Sequence, residues 1–384
     1  GFGIISSGAD VTNKGTITLE DSSDPTKPNI GMYTHEKIIS LIPPILQELP
    51  YILENEGNIK VGKNGIGVYG KNITNGDSVT LPNSTIEVGE NGIGVYTADG
   101  NGHLKSGSIK TGKDGVGVYI AGNGGTITAN NTFNMTLGDG SSGNNKGSFG
   151  FVNVGTGNKI YSDISNVTLQ NNSVYIYSKD TSGTSANPQI INNTNITATG
   201  NNNYGIYSVG KVDNYANIDF SNSVGSIGMY SYYLKSDSYG LSTMSLTTVP
   251  AVVNHSGRTI KVAKSDLSNS SNERYGIGMA AGHTEIRGNT ILQRAAGYIV
   301  NYGTISVTNP NSIGMYATGS GSKILNAGRI ELSGPKRNIG IFAENGAEVI
   351  NTGTITTVGS GNVGQIGIAI RKGCLLYTSD AADE

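Results

Sequence analysis

The chain has 384 residues, of which 57 are Gly, with only 14% charged residues and no Trp. So Gly-rich and weakly charged a composition argues against a packed α/β enzyme, and the regular recurrence of Ile, Val and Tyr argues against disorder. The formal net charge of −2 offers neither the basic excess of a nucleic-acid binder nor a block of acid, so no nucleic-acid partner is expected.

Two short cassettes alternate along the chain. One is Asn-x-Gly-polar-Ile, first seen as NKGTI at 13–17 and again as NEGNI at 55–59. The other is Ile-Gly-apolar-aromatic: IGMY at 30–33, then IGVY at 66–69 and 93–96, with VGVY at 116–119. Each piece is short, nearly alternating and rich in β-branched residues, which predicts strands divided by Gly and Asn turns. Between the first two copies lies EKIISLIPPILQELPYIL, nearly free of Gly and Asn. Residues 36–53 are therefore expected to be an insertion packed on the side of the repeat, with a corrupted stretch as the alternative. Pro43 and Pro44 interrupt any helix there.

Residues 128–200 keep the composition but blur the cassettes. They return as YGIY at 204–207 and IGMY at 227–230, and a second excursion is expected near 234–254. After YGIGMA at 275–280 the pattern is regular: NYGTI 301–305, IGMY 313–316, NAGRI 326–330, IGIF 339–342 and NTGTI 351–355. Asn301, Asn326 and Asn351 step by 25 residues, and each is preceded by a third apolar piece, YIVN, KILN or EVIN.

Three strands per period of about 25 residues cannot bury an apolar face alone, but stacked layers can. The expected fold is all-β: a parallel β-helix solenoid, one body over 1–373, with matching letters one above another. About 12–14 coils at about 4.8 Å each would give a rod of about 60 Å. Ile66, Val68, Ile93 and Val95 are expected to point inward. Ile17, Ile59, Ile305, Ile330 and Ile355 are expected to form a second inward column, and Asn301, Asn326 and Asn351 a side-chain amide ladder. Propellers need longer periods.

Residues 374–384, CLLYTSDAADE, match none of this and resemble a translated transposase-type sequencing adapter, so they are set aside as a probable artefact. They hold the only cysteine, Cys374, and three acids, leaving 25 acids against 26 bases in the rest. Both ends read as cut, so the missing leader and anchor carry no information. No apolar run of about 18 residues is present to span a bilayer as a helix.

No catalytic, cofactor or metal site is expected. His35, His103, His255 and His283 are scattered without zinc-site spacing. GDGSSG at 138–143 lacks the order of a serine nucleophile loop, and DGNG at 99–102 reads as a turn rather than a calcium loop. The surface candidate is an aromatic stripe: Tyr69, Tyr96, Tyr119, Tyr230, Tyr316 and Phe342 have opposite parity to the apolar residue before them. Rings about 4.8 Å apart would either protect the sheet face by self-stacking or offer a platform to sugars or a partner protein.

The alternation of Asn-x-Gly-Thr-Ile, Ile-Gly-Met-Tyr-Ala and Gly-x-x-Ile-x-Asn resembles the passenger domains of autotransporter adhesins, most closely the large fusobacterial ones. The resemblance is strongest over 254–373. It implies a right-handed β-helix displayed outside a Gram-negative cell, anchored to the outer membrane through a C-terminal translocator barrel. It implies an adhesive or stalk role toward a host or bacterial surface glycan or protein, and cysteine-free passengers suit that export route. No functional residue carries over. The rival readings are a secreted polysaccharide-active enzyme, marked by two carboxylates plus Arg or Lys in one groove, and a pure spacer whose tip lies elsewhere.

Overall fold

The computed structural model describes residues 1–7, 9–35, 52–70, 73–75, 84–98, 101–143, 146–180, 189–234, 251–270, 273–287 and 290–378, and among these the regular elements are all strands. The chain divides into two compact units, Gly1–Tyr177 and Ser178–Glu384. Each is a parallel β-helix whose coils lay strands on three faces.

In the first unit the IG-apolar-Tyr strands make the first face: Phe2–Ser7, Ile30–His35, Ile66–Gly70, Ile93–Thr97, Val116–Ile120 and Ser148–Asn153, each parallel to the next. The second face holds Val11–Asn13, Leu53–Asn55 and Ile73–Asn75, and the third Thr16–Leu19, Asn58–Val61 and Thr85–Val88. Strands Gly102–Thr111 and Thr126–Thr136 run through both of those faces, with a register shift between Leu104 and Ser106. The second unit repeats the plan. Ile227–Ser231, Ile277–Ala281, Ile313–Thr318 and Ile339–Glu344 lie on its first face. Ala251–Asn254, Tyr298–Asn301, Lys323–Asn326 and Glu348–Asn351 lie on its second. Thr259–Lys261, Thr304–Val307, Arg329–Leu332 and Thr354–Thr357 lie on its third.

The repeated letters do sit in register: Ile66 faces Ile93, which faces Val116. The second inward column also forms. Ile17, Ile59, Ile86 and Ile109 stack in the first unit, and Ile260, Ile305, Ile330 and Ile355 in the second. Ile86, Ile109, Ile260, Ile305 and Ile330 are fully buried. Each such side chain contributes about 1.5–3 kcal/mol by leaving water.

The first-face parity differs from the sequence expectation. Val68 and Val95 lie in the interior at 1% exposure, whereas Ile66, though buried at 8%, and the half-buried Ile93 share the side of the aromatic ring. The glycine between them is turned into the core: a Cβ on Gly94 would lie 2.6 Å from the carbonyl oxygen of Gly117 and 2.8 Å from Ile109 Cγ2. Two successive residues therefore face inward, which breaks the alternation and throws the leading Ile to the outer side with the aromatic ring. In the second unit Ile277 and Ile313 accordingly cluster with Ala280, and Tyr230, Tyr316 and Phe342 pack against them. The cassette glycine has a steric cause, because the Ile column of the third face fills the space a side chain would need; in strand Ser173–Ser178 the buried Tyr175 takes its place.

The asparagine ladder is longer than expected. Asn192, Asn214, Asn254, Asn301, Asn326 and Asn351 form one chain of amide hydrogen bonds, each Nδ2 donating to the next Oδ1 at 2.8–3.0 Å. Several of the same amides also donate to the carbonyl two residues on, as Asn301 does to Gly303 at 3.1 Å, which holds the bend. Such a buried and fully partnered network is strengthened by its low-dielectric surroundings. The first unit has a shorter version, Asn13 donating to Asn55 at 2.8 Å. The column there later becomes Leu104, Ala129 and Ser162.

The excursions expected at 36–53 and 234–254 fall mostly on residues 36–51 and 235–250, outside the described residues. An unexpected one lies between Ala281 and Tyr298. His283–Arg287 and Thr290–Ala296 form an antiparallel hairpin, extended by Tyr233–Leu234. Thr284 meets Thr318 hydroxyl to hydroxyl at 2.9 Å, so the hairpin lies against the turn that follows the first face. Within 374–384, Leu375–Thr378 pairs with Glu348–Asn351, with its side chains exposed.

Candidate functional site

The aromatic stripe takes two forms. In the first unit the rings stack from coil to coil. Tyr69 and Tyr96 are 4.6 Å apart at 6°, Tyr96 and Tyr119 5.2 Å apart at 10°. Tyr33 precedes Tyr69 at 5.1 Å, and Phe2 precedes Tyr33 at 5.6 Å. The tyrosines are half-buried, so each stack leaves part of every ring in water. Burial, and then the adjacent phenols, raise the Tyr69 and Tyr96 hydroxyls above the usual phenol range. The stripe ends where Tyr119 faces Val152. The sequence reading named Tyr69, Tyr96 and Tyr119 but omitted Tyr33, which stands in the IGMY cassette at 30–33 and could have been found there. Phe2 has no cassette around it.

In the second unit Tyr230, Tyr316 and Phe342 do not form a continuous stack. The strand between Tyr230 and Tyr316 carries Ala280 at the ring position. Tyr230 meets Tyr207 edge to face at 4.9 Å and donates to the Gly282 carbonyl at 3.0 Å, where the hairpin begins. Tyr316 donates to Glu344 Oε1 at 2.8 Å and lies 5.7 Å from Phe342. Burial drives both phenols far above their ordinary range, with Tyr204 adding for Tyr230 and Glu344 for Tyr316. These rings are half-buried and pack against the cluster of Ile277, Ala280 and Ile313. Of the six predicted stripe residues, Tyr69, Tyr96 and Tyr119 come together as a stack, whereas Tyr230 faces Ala280 on the next coil and is tied by its hydroxyl to Gly282 at the start of the hairpin.

Among the described residues no group of three or more His, Cys, Asp or Glu could hold a metal ion. The ion-paired clusters around Asp213 and Glu285 each hold a single carboxylate. Asp213 meets His255 and Lys211, and Glu285 meets Arg294 at 3.0 Å and His283 at 3.9 Å. The Asp114 carboxyl is pulled up by burial, but hydrogen bonds from Ser141 and the Lys113 charge hold it below the usual range. Burial likewise raises the Asp219 carboxyl, but hydrogen bonds from Lys261 and Ser221 hold it below the usual range. A general acid at neutral pH needs the opposite shift. The 138–143 loop is a structural turn: Ser141 donates through its hydroxyl to Asp114, and Asp139 accepts from the Asn171 amide. Residues 99 and 100 of DGNG lie outside the described residues.

Stacked coils, a glycine column against an isoleucine column and a buried asparagine ladder define a pectate-lyase-like parallel β-helix. Residues 74–353 match the family model of the BigA third pectate lyase-like domain, and the chain belongs to that family. No curated protein and no solved structure matches the chain. Among the described residues no helix is long and apolar enough to cross a membrane.

Proposed function

We propose that the protein is a bacterial surface protein whose β-helix mediates attachment to host or bacterial surfaces, without catalytic activity. The carrying observation is the half-exposed column Tyr33, Tyr69, Tyr96 and Tyr119, one ring per coil, stacked from Tyr69 to Tyr119. Membership of a BigA family supports the surface location. Weak contacts repeated along such a strip would act through multivalency. The resemblance to autotransporter adhesins extends this reading to a Gram-negative outer membrane and to a translocator barrel as the partner in export.

The test is binding of the purified chain to host epithelial cells and to bacterial cells. The expected result is saturable binding that falls to background in Y69A/Y96A/Y119A. Binding unchanged in that variant would remove the stripe from the reading, and binding at background for the unaltered chain would favour a spacer. The family's pectate-lyase-like description favours one second reading, a polysaccharide-active enzyme. Unsaturated product appearing in ultraviolet absorbance on incubation with polygalacturonate would establish it.

A further inference from the structure

The corner after the asparagine ladder carries rings on three consecutive coils of the second unit. Asn214, Asn254 and Asn301 are paired coil to coil, and the residues that follow them are Tyr215, His255 and Tyr302. Tyr215 and His255 stack at 4.1 Å and 14°, and Tyr302 lies 6.4 Å beyond His255. Both tyrosines are exposed, at 39% and 46%. The His255 ring is fixed from beneath: its Nε2 is 2.9 Å from Asp213 Oδ1. Asp213 is only 8% exposed and has Lys211 Nζ 3.7 Å from its other oxygen.

The fold does not need rings at this place. The same corner position is Ala327 and Thr352 in the next two coils, and Lys14 and Glu56 in the first unit. Two large rings held in water return little folding energy, since only buried apolar area stabilises. A buried carboxylate holding one of the three rings in place adds a desolvation cost that the corner of a plain solenoid does not require. With Nε2–H donating to Asp213, Nδ1 of His255 accepts in the neutral ring and donates in the charged one. The cluster therefore offers aromatic surface, hydrogen-bond acceptors and an ammonium, with the Lys211 and Asp213 charges offsetting each other.

That combination suits a ligand with an apolar C–H face rimmed by hydroxyls and without net charge. We infer that Tyr215, His255 and Tyr302, with Asp213 and Lys211, form a binding site for a neutral pyranose glycan. Sugar C–H groups lie on the tyrosine rings, and hydroxyls reach His255 Nδ1, Asp213 and Lys211. A folded protein partner fits less well: three rings on one corner are far fewer than the about 20–30 residues a side of a standard protein interface. The site lies in the other unit from the tyrosine stack and stands whether or not that stack is adhesive.

Saturation-transfer NMR on the full chain tests this, with cellotetraose and chitotetraose as neutral probes and tetragalacturonate as the acidic one. Irradiating aromatic protons is expected to transfer saturation to the ring C–H protons of a neutral probe. Y215A/Y302A is expected to weaken that binding by about tenfold or more, the loss typical of aromatic anchors. Tyr275→Ala, at an exposed ring outside the corner, is expected to leave it unchanged. Ala327 already occupies the corner position, so Y302A alone serves if the double variant fails to fold. No transfer to either neutral probe, transfer to tetragalacturonate only, or equal binding by the Tyr302 variant would overturn the assignment. The cell-binding result for Y69A/Y96A/Y119A is read independently of it.

Discussion

The rings at 69, 96 and 119 and those at 230, 316 and 342 occupy the same place in the same cassette and are all half-buried, yet one set stacks ring on ring and the other packs on a cluster of Ile277, Ala280 and Ile313. The first-unit strands follow one another with a ring in each, so phenols stack and stay half in water. In the second unit Ala280 interrupts the column and the following residues leave the coil as a hairpin, at whose start the Gly282 carbonyl accepts from the Tyr230 hydroxyl. A solenoid motif sets a residue's position and direction. What lies on the coils either side, and what loops over them, sets its environment.

The largest expected effect tests whether the two first faces are built alike. Gly94→Val and Gly314→Val each force a side chain into the opposite isoleucine column, and each is expected to cost about 3 kcal/mol in urea unfolding. A cost below about 1 kcal/mol in either would mean that its glycine column is not packed as in the other unit. Next, Asn301→Ala removes a middle link of the long ladder and strands the Asn254 amide and the Asn326 carbonyl, at an expected cost of about 2–3 kcal/mol. Asn13→Ala, at the start of the short ladder, is expected to cost about 1 kcal/mol by the same measurement.

Ala280→Tyr asks whether the gap in the second unit is real. Ala280 is 2% exposed, so overpacking beneath the hairpin is expected to lower stability by about 2 kcal/mol, read from the denaturation midpoint. A stabilised variant would show that the column could run unbroken. The hydroxyls separate the units more finely. Tyr230→Phe leaves the Gly282 carbonyl without its phenol donor and is expected to cost about 1 kcal/mol, whereas Tyr96→Phe is expected to change stability by less than about 0.5 kcal/mol.

Alkaline titration gives the smallest effect at ordinary pH. Tyr230 and Tyr316 hold their protons above the unfolded phenol value of 10.0, as Tyr69 and Tyr96 do to a smaller degree. Above that pH the unfolded chain has released phenol protons that the folded chain still binds. Unfolding is then favoured as pH rises, so this contribution is fully present below pH 10 and is lost above it. Tyrosinate absorbance followed against pH is expected to show a late fraction that appears only with unfolding, and Tyr230→Phe is expected to shrink it.

Much of this was legible from letters alone. Asn301, Asn326 and Asn351 repeat at one-coil spacing, and in-register parallel pairing can only set like beside like. The earlier members, Asn192, Asn214 and Asn254, were harder to see because coil length varies: the step from Asn214 to Asn254 is 40 residues and from Asn254 to Asn301 is 47. The second of these steps contains the 283–296 hairpin and was the available sign of it, whereas the first contains residues 235–250, outside the described residues. The inward turn of the cassette glycine was not legible, because parity counting assumes an unbroken extended strand. The Tyr215–His255–Tyr302 corner was missed because its residue types differ from coil to coil.

The sequence by itself determined the coil, its three strands and the columns of identical residues, since a parallel solenoid converts a repeat spacing directly into a stacking partner. Only the tertiary structure decided which way Ile66 and Gly94 face, which tyrosines stack and where a buried aspartate steadies a half-buried ring. Those outcomes depend on residues of the opposite face and of neighbouring coils, and on segments that loop over them. No local pattern of letters encodes such contacts.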